Sequence, residues 1–154
     1  MDAREPSDSR SRYRTLYTLS AMTITRLILD LLPDELAVCR LPVDALVPNW
    51  AWAGALTSIT SSDDELSVVC AADPVPADIE HTAHWRALKV RGPLDFSLVG
   101  ILAGLSGTLA DAGVSIFAIS THDTDFVLVR DEKLDQAVKA LESTGYRVVP
   151  PDIG

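Results

Sequence analysis

The sequence predicts an α+β protein made of small antiparallel sheets with helices packed on them, and three observations predict it. From Trp85 to Val149, strand-like and helix-like periods follow one another in the order strand, helix, strand, strand, helix, strand. A polar stretch, His122-Asp123-Thr124-Asp125, separates two β-prone runs and reads as a hairpin turn. A fainter copy of that hairpin lies upstream, at Ile59 to Val69.

The first strand of the main run is Ala87 to Arg91, which alternates around Leu88 and Val90 and stops at Gly92-Pro93. Asp95 then stands where an N-cap would, because Leu98, Ile101, Leu102, Leu105 and Leu109 recur at spacings of three and four. Gly113 fits a C-terminal glycine cap. Gly100, Gly104 and Gly107 share one side of this helix, as expected where another backbone packs closely or a ligand needs access. Val114 to Ser120 and Phe126 to Val129 are the hairpin strands. Asp131 is placed to cap a second helix carrying Leu134, Ala137, Val138 and Leu141 on one face, closed by Gly145. Tyr146 to Val149 is the last strand, ended by Pro150-Pro151. The order β-α-β-β-α-β is the ferredoxin-like, split-βαβ arrangement.

The upstream copy aligns Ile59–Val69 with Ile119–Val129 at a shift of 60, and Ala37–Pro42 with Leu88–Pro93 at a shift of 51. Its helix, around Val43 to Ala53, is short and interrupted by Pro48. Residues 23–32 supply a further strand before Pro33-Asp34. The expected organisation is a disordered polar tail over 1–14, an abbreviated first domain over 15–72, a linker over 73–84 and a complete second domain over 85–150.

The formal net charge of −9 is opposite to the field that a phosphate-backbone binder needs, which argues against nucleic acid. Apolar runs stop well short of a membrane span, and the polar start, MDAREPSDSRSRYR, does not look like a secretory signal. A cytoplasmic protein without a membrane partner is expected. Cys39 and Cys70 lie in apolar strands and read as reduced core thiols. His81 and His84 form an H-x-x-H pair with no further ligand spaced nearby, so no metal or other cofactor is expected. Ser97, Ser106 and Ser120 lack a G-x-S-x-G elbow, and there is no P-loop or G-x-G-x-x-G turn, so the chain is not expected to be an enzyme.

Asp95 with Ser97 stands out. Free N–H groups at a helix start attract a carboxylate, and an acidic side chain beside them attracts an ammonium group. An α-amino acid carries both charges on one carbon. A bare capping role for Asp95 accounts for the same residue equally well.

At these residues the chain resembles an ACT domain, the regulatory amino-acid-binding module. The resemblance rests on Gly92 to Leu102 (GPLDFSLVGIL) and Asp111 to Val129 (DAGVSIFAISTHDTDFVLV). These stretches are similar to those of small bacterial tandem-ACT proteins, which in turn resemble the CASTOR-type cytosolic amino-acid sensors and, more distantly, the regulatory part of aspartokinases. The resemblance implies two ACT-like units, the first abbreviated, in a homodimer that binds a small amino acid or similar zwitterion between units. It implies one wall made of Pro93, Leu94, Asp95, Phe96 and Ser97, and a facing wall of Val114, Ser115 and Ile116, with Ser120, Thr121 and Asp123 in the hairpin segment. Where the family often has an aromatic residue, this chain has His122, and nothing after Pro42 matches D-F-S. Two other readings stay open: a ligand-free interaction subunit that docks an enzyme, and a small transferase using Ser97 or Ser120.

Overall fold

A computed structural model describes residues 27–95 and 98–152. The expected start of the first strand at residues 23–26, the tail over 1–14, and Phe96 and Ser97 lie outside the described residues. Among the described residues, eight strands form one continuous, mostly antiparallel sheet that runs through both units. They are β1 (Ile28–Leu31), β2 (Leu36–Leu41), β3 (Ser58–Ser61), β4 (Leu66–Ala71), β5 (Glu80–Val90), β6 (Phe117–Ser120), β7 (Asp125–Arg130) and β8 (Arg147–Val149). Helix α1 (Ile101–Asp111) joins β5 to β6, and α2 (Leu134–Ser143) joins β7 to β8.

The sheet is organised by β5. Trp85 pairs with Leu36 of β2 and with Arg130 of β7, and Leu88 pairs with Leu31 of β1 and with Val127 of β7. A strand has only two edges, so β1 and β2 lie end to end along the edge opposite β7. The N-terminal half of β5 thereby completes the order β5–β2–β4–β3, and its C-terminal half completes β8–β1–β5–β7–β6. β1 therefore belongs to the sheet of the second unit, running parallel to β8, and not to the first unit where its sequence position put it. Residues 80–84, expected in the linker, are strand: they alternate in exposure and hydrogen-bond to β2.

The long ladder is kinked at its middle. Between the Leu36/Trp85 and Val38/Thr82 pairs, the single residue Ala37 faces both Ala83 and His84. His84 takes φ +63°, unusual for a residue with a Cβ. The Glu35 carboxylate, from the β1–β2 link, accepts from the His84 backbone N–H at 3.2 Å and pairs with its ring at 2.8 Å.

Three cores follow from the alternation along these strands. Leu88, Val90, Val127 and Val129 face α1 and α2, meeting Leu105, Leu109, Ala137 and Leu141. Their strand neighbours Ala87, Phe126 and Leu128 face the other way, into a cluster with Leu36, Val69 and Leu56 of the first unit. The helix-free face of the second unit is thus covered by the first. The far face of β2 and β4 buries Ala37, Cys39, Leu41, Val68 and Cys70 under Ala51, Trp50 and neighbours. Only a 3-10 turn at Asn49–Trp52 stands where a helix around Val43 to Ala53 was expected, with Pro48 directly before it. Cys39 and Cys70 are free thiols, and burial pushes Cys39 up to about 12.

The two hairpins repeat as expected, but at a shift of 59: Ser61/Leu66 corresponds to Ser120/Asp125. The ladder pairs Leu36/Ala71 and Trp85/Arg130 correspond likewise, giving 49 for the leading strands. The one-residue difference from the shift of 60 swaps faces, because side chains alternate across a strand. In both hairpins the residue at the turn start, Ser62 or Thr121, bonds across to the backbone of Glu65 or Thr124 through its hydroxyl.

Both helices end as expected. Gly113 and Gly145 take φ +73° and +99°. In each case the following residue donates back five positions, Val114 to Leu109 and Tyr146 to Leu141, while the glycine donates back three. The helix starts differ. α1 begins at Ile101, with Gly100 as N-cap at φ +79° and no side-chain cap, so Asp95 lies too far upstream to cap it. Asp131 opens a 3-10 turn and pairs with Arg86 at 3.4 Å, leaving Lys133 before α2. A side chain at Gly107 would meet open space, so close packing does not require that glycine.

Two outcomes test this architecture. His84→Gly melts at or above the wild type, whereas His84→Val loses about 1–3 kcal/mol in urea unfolding, because a β-branched residue cannot take the positive φ without strain. Arg91 hydrogen-bonds Asp30 across β1 and β5 and holds its carboxyl below the usual carboxylate range. A lowered carboxyl stabilises the fold above its unfolded pKa, and that contribution is lost as pH falls through the folded value. Asp30→Asn is therefore less stable than wild type at neutral pH, and the two converge between about pH 5 and pH 2 in pH-resolved denaturation.

Candidate functional site

A cleft of about 370 Å³ opens where the β5–α1 loop meets the β6–β7 hairpin. Chain direction creates it. α1 runs away from the end of β5 and β6 runs back, so the start of α1 and the end of β6 share one end of the sheet. Leu94 and Asp95 line one side, Leu98 and the first turn of α1 from Gly100 to Ala103 the floor, and Ser120 to Asp125 the other side.

The hairpin side is built from its own hydrogen bonds. Thr124 is buried, and its hydroxyl donates to the Val90 carbonyl at 2.5 Å, tying the turn to β5. The Leu94 N–H donates to the Asp123 carbonyl at 2.7 Å and ties the loop to the turn. Gly92 sits where a Cβ would come to 3.1 Å from that same carbonyl, so a side chain there would crowd the loop against the turn. Ser120 Oγ donates to Asp125 Oδ1 at 2.6 Å, and the His122 ring lies 2.9 Å from Asp123 Oδ1 on the exposed rim.

The floor is a helix N-terminus without a side-chain cap and with no acidic residue in its first turn. The leading N–H groups of such a turn have no carbonyl of their own helix to bond. Asp95, Asp123 and Asp125 surround it, and no lysine or arginine is among the described residues that line the cleft. The site thus offers an electropositive floor inside an acidic rim.

Leu94, Asp95, Ser120 and Thr121 of the expected set come together here, and Pro93 adjoins Leu94 in the loop. Phe96 and Ser97 lie outside the described residues. Val114, Ser115 and Ile116 do not face the loop within this chain. They follow the C-terminus of α1, at the opposite end of β6 from Ser120, where Val114 is buried in the helix-side core. Residues not foreseen are Leu98, Gly100 to Ala103, Thr124 and Asp125. Gly100 was the available signal, because a glycine between two apolar stretches marks a start as readily as a packing gap. His81 and His84 sit in β5, His81 bonded to the Ile79 carbonyl and His84 to Glu35, and no group of potential metal ligands occurs among the described residues. No helix among them is long and apolar enough to cross a membrane.

Residues 80–143 match the family model described as ACT domain, and residues 34–78 match a model of an N-terminal domain. The solved structure of a protein from Agrobacterium tumefaciens is 34% identical, with a TM-score of 0.77 over 82% of this chain and 94% of that one. Aspartate kinase from Clostridium acetobutylicum shares the fold at 14% identity, with a TM-score of 0.58 over 76% of this chain and 34% of the kinase. The human protein named cytosolic arginine sensor for mTORC1 subunit 1 is 36% identical over 59 residues, 38% of this chain. The chain spans 18% of the length of that relative.

The hairpin wall has a direct test. Thr124→Val keeps shape but removes the donor to Val90, and is expected to lose about 1 kcal/mol in stability while leaving the amide spectrum of the first unit unchanged.

Proposed function

The chain belongs to the ACT-domain family, and on that premise we propose that it is a non-catalytic regulatory protein that holds an amino acid in the cleft at the start of α1. The observation that carries the reading is the pairing of an uncapped helix N-terminus with three aspartates in one concave site. The helix start receives the α-carboxylate. Asp95 and Asp125, from opposite sides, receive the α-ammonium group. The acidic rim, with no lysine or arginine among its described lining residues, favours an amino acid with a cationic side chain. The likeness to a protein named as an arginine sensor agrees with that preference.

Ser120 supports the non-catalytic reading. Its hydroxyl is bonded to a carboxylate, and the neighbouring imidazole of His122 is paired with Asp123, so the serine is not aligned on a histidine as a nucleophile would be.

Binding acts by mass action. A ligand at 100 times its Kd stabilises the state that holds it by about 2.7 kcal/mol. Leu98 and Val99 are 44% and 81% exposed beside the cleft, an apolar rim for a second copy to cover. Ser115, about 16 Å along the chain from Ser120, reaches a cleft only from such a second copy. The reading is therefore of a homodimer in which occupancy of the cleft and pairing of the subunits favour each other.

Calorimetry against arginine, lysine, leucine and glutamate tests the proposal. Heat is expected with arginine or lysine and not with glutamate, and Asp125→Asn weakens it at least about tenfold, the loss of one charged hydrogen bond. Silence with both arginine and lysine, or the same affinity in the variant, overturns it.

A further inference from the structure

The tail over residues 1–14 lies outside the described residues, and its charge is unlike that of the rest of the chain. It holds four of the thirteen basic residues and only three of the twenty-two acidic ones. The remainder is strongly acidic, and the cleft rim with Asp95, Asp123 and Asp125 is part of that acidic surface. The tail also has a pattern, Asp8-Ser9-Arg10-Ser11-Arg12-Tyr13-Arg14. In an extended chain alternate residues share a side, so one side reads Asp8, Arg10, Arg12, Arg14. A carboxylate is followed on that side by guanidinium groups, at steps of about 6.5 Å.

Strand β1 brings this tail to the end of the sheet where the cleft opens. Leu29 pairs with Val90, and the Arg91 N–H donates to the Ile28 carbonyl at 2.8 Å, so Leu27 lies beside the end of β5. The same end of β5 runs into the loop that lines the cleft, and the Val90 carbonyl accepts from the Thr124 hydroxyl of the hairpin. Leu27 is thus two to three strand spacings from the hairpin, roughly 10–15 Å. Arg10 precedes Leu27 by 17 residues, a length that spans at most about 56 Å, so the tail reaches the cleft with chain to spare.

The charges match in kind. The floor of the cleft, a helix start without a side-chain cap, suits a carboxylate, and the acidic rim suits a cation. Asp8 and Arg10 offer both on one side of one segment. Arg12 and Arg14 then continue along the hairpin, where the Asp123 carboxylate is exposed.

We propose that the chain's own tail is an internal occupant of the cleft, with Asp8 at the start of α1 and Arg10 at the Asp123–Asp125 rim, and that a free amino acid binds by displacing it. The inference rests on the reading of the cleft as an amino-acid site and adds its regulation. A linked segment is presented to a nearby site at on the order of millimolar concentration, so individually weak contacts suffice to hold it. A tail that fills the cleft about nine times in ten raises the apparent Kd of a free ligand about tenfold. The tail thereby sets the amino-acid level at which the cleft responds, and binding releases a basic segment from an acidic body.

The test compares the full chain with a full-length variant carrying Asp8→Asn, Arg10→Gln, Arg12→Gln and Arg14→Gln. With no amino acid present, the amide shifts of Gly100 to Ala103 and of Thr121 to Asp125 are expected to differ between the two proteins, although every substitution lies outside the described residues. Salt at about 0.5 M should remove that difference, because exposed charge pairs are screened. In calorimetry the variant should bind arginine at least about tenfold more tightly than the wild type. Identical cleft amides, differences confined to another surface, or equal arginine affinity overturns the proposal. If neither protein binds arginine or lysine, the amino-acid reading fails, and the amide comparison by itself decides whether the tail occupies the cleft.

Discussion

The pairing of β1 and β2, end to end, with the single long strand β5 is the interaction on which everything else rests. Each of the two units takes its central strand from one side of this ladder and its neighbour from the other. Neither sheet is complete without the other unit's strand, so the halves are expected to fold as one cooperative body. The kink at His84, held by Glu35, bends the ladder where one unit passes into the next. The two helix-free faces then bury Leu36, Val69, Ala87 and Leu128 in a shared core.

That shared core covers one face of the first unit's sheet, which carries no α-helix among the described residues. Its sheet is covered on one face by the second unit and on the other by the loop carrying Trp50 and Ala51. The second unit keeps both helices, and their glycine-terminated ends each deliver an apolar residue, Val114 and Tyr146, to the helix-side core. Function concentrates where the helices remain. The cleft needs a helix start beside a hairpin, and among the described residues of the first unit only a 3-10 turn stands in the helix's place.

Much of this was legible in residue order. The six-element order of the second half, the two C-terminal glycines, the hairpin turn and the repeat all follow from local rules about period and turn chemistry. Asp95 and Ser120 were legible as polar residues at element ends. Other readings failed for identifiable reasons. Asp95 was placed in the helix cap because Leu98 extends the three-and-four spacing upstream of Gly100; the helix starts on that positive-φ glycine instead. Val114 to Ile116 lie at the far end of β6 from this chain's own cleft, because strand direction is a property of the crossover. The repeat was aligned one residue out because hydrophobicity matches equally well in either register, while hydrogen bonds do not.

What the sequence by itself determined is local: which residues alternate, where helices stop, which turns form, and that the chain resembles an ACT domain. These depend on interactions within a few residues, so they are written in order along the chain. What only the tertiary structure decided is partnership. That β1 serves the second unit, that β5 serves both, that Thr124 reaches Val90, and that Asp95 and Asp125 line one cleft are juxtapositions over 30 to 61 residues of chain. They arise because an edge of unpaired backbone groups accepts whichever strand the burial of its side chains brings alongside, and no local pattern records which strand that is.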